Sequence, residues 1–138
     1  MGRVIRTESL ASERTRLMKA MTLAVRELAK LGAFNSEARD LAAFLVLALD
    51  GVADTIERSV QPWEKRDFWL KADRFRMEWA WVETLRRELR KTVLAEDAGE
   101  IAFHLASLGQ RLKDVQVSEK HRLGTPWKGA WAQLTSQK

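Results

Sequence analysis

Five carboxylates crowd one short stretch of this chain: Asp50, Asp54 and Glu57, then Glu64 and Asp67. On a helix the first three fall on one side, because their steps of four and three residues each return to the same face. The pairs Asp54-x-x-Glu57 and Glu64-x-x-Asp67 flank Pro62. A turn at that proline would swing the two pairs toward each other. Oxygen-only clusters suit magnesium, which keeps several waters and bridges to phosphate, so the chemistry on offer is metal-assisted phosphate hydrolysis. Asp54, Glu57, Glu64 and Asp67 are its candidate metal ligands. Acids in a first helical turn also complement the helix dipole without any ligand.

The arrangement resembles the paired acidic motifs of the all-α nucleotide pyrophosphohydrolases, whose pairs read Glu-x-x-Glu and Glu-x-x-Asp with a longer separation, deep in a bundle. The resemblance implies a magnesium-dependent nucleotide phosphohydrolase as one alternative function. Here the first pair begins with Asp, and six residues intervene before Glu64. Other catalytic arrangements find less support. A di-metal carboxylate bundle needs two Glu-x-x-His units, but Ile101 stands three before His104 and Ser118 three before His121. Glu100 and His104 share a face, yet two ligands are too few for zinc. There is no cysteine, no Gly-x-Ser-x-Gly and no glycine-rich phosphate loop. No cofactor is expected, and an enzyme is the less favoured class.

Basic residues raise a second alternative, non-specific nucleic-acid binding. The net charge is +5 and the pI about 9.9. Arg86-Arg87-Glu88-Leu89-Arg90-Lys91 is dense, and Arg3, Arg6, Arg14, Arg16 and Lys19 lie near the start. Such clusters neutralise phosphates. Against this, Glu83 and Glu88 interleave with Arg87 and Lys91 at helical spacing, the pattern of ordinary exposed pairing. No helix-turn-helix pattern is present.

The elements that must position these residues are legible in the apolar pattern. Four stripes recur at alternating steps of three and four: Leu10, Leu17, Met21, Ala24, Leu28, Leu31; then Ala38, Ala42, Leu45, Leu49, Val52, Ile56; then Phe68, Ala72, Phe75, Trp79, Val82, Leu89, Val93; then Ala98, Ile101, Leu105, Leu108, Leu112, Val115. The pattern predicts an all-α fold, an antiparallel four-helix bundle with left-handed, heptad-like packing. The first helix is expected from Thr7 or Ser9 to a left-handed cap at Gly32, and the second from Asn35 to a stop at Gln61-Pro62. A third, unbroken helix would run from Pro62 to about Ala95, and a fourth from Asp97 to about Val117. Charge alternates along these segments, basic, acidic, basic, acidic, which suits antiparallel neighbours.

Residues 1–117 are thus read as the bundle and 118–138 as a tail that packs on it or on a partner subunit. Gly124, Pro126 and Gly129 break helices there, yet Trp127 and Trp131 are costly to leave in water. Helix three carries a second apolar line, Leu70, Met77 and Trp81, with Trp69 beside it, and Leu47 interrupts the polar side of helix two. Uncovered apolar faces of this kind point to an interface. The expected function is therefore non-catalytic: a self-associating protein–protein interaction module, a homodimer through Trp69, Leu70, Met77, Trp81, Trp127, Trp131 and Leu47, with a further protein partner possible. Arg14 and Arg86 stand where the stripes want apolar residues. Counting from the turns sets Arg86 level with Glu37, Asp40 and His104, as a register-fixing buried cation or an anion contact. The longest apolar run, Leu41 to Leu49, is far short of the roughly 20 residues of a membrane span. With no signal-like start, the expected location is cytoplasmic, without membrane partners.

Overall fold

The computed structural model describes residues 9–137. Among them are six helices and no strand: α1 (Leu10–Lys30), α2 (Ser36–Lys65), α3 (Trp69–Glu78), α4 (Ala80–Leu94), α5 (Ala98–Leu112) and α6 (Ala130–Thr135). The chain is all-α, as the stripes predict. Thr7, Arg3 and Arg6 lie outside the described residues.

Three helix starts follow from their capping side chains. Ser9 accepts a hydrogen bond from the Ser12 amide, Asn35 from Ala38 and Asp97 from Glu100, each satisfying an amide the helix leaves without a partner. The ends depart more from expectation. Leu31 closes α1 in extended backbone, φ −82° and ψ 137°; Gly32 is not among the residues with positive φ and is no left-handed cap. The last helix of the four stops at Leu112 rather than Val117.

Two corrections concern the middle of the chain. Pro62 does not stop α2, which continues to Lys65. A proline there forfeits only one bond, the one its missing N–H would make to Arg58. The turn falls instead at residues 66–68, where the Asp67 amide bonds Glu64 O at 3.0 Å and the Phe68 amide bonds Trp63 O at 2.7 Å. Asp67 adopts φ 60°, a left-handed conformation that Asp tolerates better than most residues. The third helix is also not continuous: Trp79, at φ −107° and ψ 13°, separates α3 from α4. In a straight helix residues 79 and 81 would point about 200° apart. The break lets their rings meet, with centroids 6.0 Å apart.

The core is built around α2, which packs against α1, α3, α4 and α6, while α5 packs against both α4 and α1. Leu41, Leu45, Leu49 and Val52 of α2 are fully buried, together with Met21 of α1, Leu89 of α4 and Leu108 of α5. Where α1 crosses α2, Gly51 allows the close approach: a Cβ added there would sit 2.9 Å from Leu17 Cδ1. Not all stripe positions are internal, for Phe68 is 50% exposed and Ala98 is exposed. No helix among the described residues is long and apolar enough to cross a membrane.

Candidate association surface on α3

The α3 helix is ten residues long, and its inner side is anchored by rings and charges rather than by a deep apolar seam. Ala72 is fully buried. Phe75 meets Trp63 edge-on at 5.3 Å and lies 6.4 Å from Trp79. Lys71 sits 4.5 Å over the Trp63 ring. Arg76 donates to both oxygens of Glu57, at 3.1 and 3.0 Å, and to Glu64 at 2.7 Å. Charge-assisted bonds of this geometry tie the short helix to α2. They also hold the Glu57 carboxyl below the usual range, chiefly through the Arg76 hydrogen bond.

Three large apolar residues remain on the outside, among the exposed charges of Lys71, Asp73, Arg74 and Glu78. Leu70 is 64% exposed, Met77 76% and Trp69 54%. Phe68 joins them, and the face around it is a groove of about 670 Å³ lined by Asp67, Phe68, Trp69, Leu70, Lys71 and Arg74. Scattered apolar residues on a surface are ordinary, but a contiguous set of large ones marks an interaction site.

The other expected anchors are placed differently. Trp81 is half-buried, packed on the core, with Arg111 5.4 Å over its ring. Trp127 is buried at 8% exposure and belongs to the core of its own chain. Trp131 is half-buried beneath Arg39, 4.8 Å over the ring. The Asp40 carboxylate accepts from the Gly129 amide at 3.2 Å and from Trp131 at 2.8 Å, so α2 caps α6 with its own side chain. Gly129, at φ 79°, makes the turn that aims those amides. Leu47 shares the Asp40 face of α2 and is half-buried against the core. Of the seven expected interface residues, the structure leaves Trp69, Leu70 and Met77 bare and draws the other four inward.

Both odd arginines are structural contacts. Arg14 donates from Nε to Thr55 at 3.1 Å and from Nη2 to Ser59 at 2.9 Å. Its guanidinium lies 5.1 Å over Phe75 and 5.4 Å over Trp79. Burial lowers its pKa, with Glu78 opposing. Arg86 does not lie level with Glu37 and Asp40 on α2. It pairs with Asp50 and Glu83, both at 2.8 Å, because the register counts from residues 66–68 and not from Pro62. Arg90 bonds the second Asp50 oxygen.

The acidic cluster is likewise answered by arginines. Asp50 faces Arg86 and Arg90, Asp54 pairs with Arg58 at 3.2 Å, and Glu57 and Glu64 converge on Arg76. The expected ligands Glu57 and Glu64 do come together, but around a guanidinium, while Glu64 belongs to α2 and Asp67 to the turn. Among the described residues no group of three or more His, Cys, Asp or Glu is placed to hold a metal.

Two exposed aromatics escaped the sequence reading. Phe68 counts as core in the third stripe, and Phe103, 65% exposed on α5, lies off the fourth stripe. Phe103 borders a groove of about 370 Å³ with Trp81 and Arg111. Its signal was visible: a large ring between Glu100 and Ser107 on the polar side of an amphipathic helix. Comparison with family models, with curated proteins and with solved structures finds no match to this chain.

Proposed function

We propose that this chain is a non-catalytic association module whose first partner is a second copy of itself, docked through the outer face of α3. The observation that carries the reading is the exposed set Phe68, Trp69, Leu70 and Met77, while the third stripe beyond Phe68 is buried or half-buried. Tryptophan and methionine are enriched at interface cores. The charges along this stretch alternate in sign, in the order Asp67, Lys71, Asp73 and Arg74. A two-fold pairing sets a patch against itself, and a patch of mixed sign can then match acid with base. For the scaffold, α1, α2, α4 and α5 contact one another in a closed circuit, which supports an antiparallel four-helix bundle with α3 as a spur between its second and third long helices.

The test is sedimentation of the Leu70→Glu/Met77→Glu variant beside the native chain. Loss of a dimer with retained helical signal supports the face. A native chain that stays monomeric at high concentration would sink the reading.

A further inference from the structure

A second site lies away from α3, where the first turns of α1 meet the segment after α5. The cleft there has a volume of about 450 Å³, within the range of small-ligand sites. Its polar lining is Ser12, Thr15, Lys19, Ser118, His121 and Arg122, with Arg16, which has a partner of its own, at the border. No carboxylate is among the described residues that line it. That contrasts with Arg39, Arg58, Arg76, Arg86 and Arg90, each of which is matched to an acid.

The local hydrogen bonds leave donors available. His121 Nδ1 accepts from the Leu123 amide at 3.2 Å, so the neutral ring carries its proton on Nε2. Ser118 Oγ accepts from the Lys120 amide at 3.1 Å, and Ser12 Oγ accepts from the Ser9 hydroxyl at 2.9 Å. Each hydroxyl thereby keeps its own proton for another acceptor. The walls thus offer ammonium, guanidinium, imidazole N–H and hydroxyl donors, with no acid among the described lining residues. Phosphate oxygens are the acceptors this set matches, since they take charge-assisted bonds from Lys and Arg.

We infer that this cleft binds the phosphate group of a small phosphorylated ligand, through Lys19, His121 and Arg122. Lys19, His121 and Arg122 share one bounded cleft of about 450 Å³, which favours one compact anion over a nucleic-acid backbone. The inference is independent of α3.

The experiment titrates the full chain, at fixed ionic strength, with inorganic phosphate, with adenosine monophosphate and with a short single-stranded oligonucleotide, following amide shifts by NMR. Saturable phosphate shifts at Lys19, Ser118, His121 and Arg122 are expected, with tighter binding of the monophosphate. Lys19→Glu/Arg122→Glu should weaken both at least about ten-fold, since each charge-assisted contact is worth about that much. Arg26→Glu/Arg87→Glu, which removes the same charge elsewhere, should leave affinity unchanged. All four residues are exposed, so both variants are expected to fold, and His121→Ala provides a milder third. The inference is overturned if phosphate does not saturate, if both double variants lose equally, or if the oligonucleotide alone binds.

Discussion

On α2, the face that holds Asp40, Ala43 and Leu47 lies under α6, with Ala43 fully buried. On α3, Leu70 and Met77 remain 64% and 76% exposed. In sequence the two faces look alike, each an apolar surplus on a helix that needs only one buried side. What separates them is a tether. The Asp40 carboxylate caps α6 through two amides, and Trp127 and Leu134 then enter the core. No helix among the described residues is laid over the outer side of α3 in the same way. One surplus is covered within the chain, and the other stays exposed, where the proposed association would use it.

Substitutions can break the comparison from either side. The largest effect is expected at Trp127→Ala, which empties a buried aromatic site and should cost about 3–5 kcal/mol of stability. Denaturant titration checks this, and the mass of the native fraction should not change. Leu70→Glu/Met77→Glu should do the reverse, abolishing association while leaving the stability of the dilute chain within about 0.5 kcal/mol, as surface changes do. Equal stability losses from both variants would erase the distinction between the two faces.

Asp40→Ala should cost about 1–2 kcal/mol by uncapping α6. Hydrogen exchange should quicken at Gly129 and Trp131 before it does elsewhere. Arg14→Met keeps a long apolar stem but removes two cation–π contacts, each worth about 0.5–1 kcal/mol. Its effect should appear as a lower melting temperature with unaltered mass.

The smallest effect concerns pH. Arg76 holds the Glu57 carboxyl below its ordinary range, so protons bind more tightly to the unfolded chain. Stability from this contact is fully present above the unfolded-state pKa and is lost as pH falls through the folded value. Glu57 is largely exposed, with a side chain 57% accessible, so solvent screening keeps the contribution small. Glu57→Gln should flatten the acid limb of the stability curve only slightly.

Much of this was legible in sequence, and the failures have physical causes. Asn35 and Asp97 announced their helices because a capping side chain acts locally. The Pro62 turn was misplaced because a proline near a helix end costs little, and that single displacement also moved Arg86 from Glu37 to Asp50. The break at Trp79 was hidden because the steps 72, 75, 79 and 82 run through it without interruption. Arg14 was recognisable as a cation among apolar positions, but its ring partners come from a helix whose placement depends on the shifted turn. Asp40 read as an acid level with Arg86, since nothing near it in sequence shows the amides of Gly129 and Trp131 arriving from the far end of the chain.

The most direct measurement is absolute mass by light scattering across a concentration series, on the native chain and on Leu70→Glu/Met77→Glu. The account predicts twice the chain mass for the native protein at the upper concentrations and a single chain mass for the variant throughout. A native chain that remains at one chain mass, or a variant that still dimerises, would contradict the assignment of α3 as the association face.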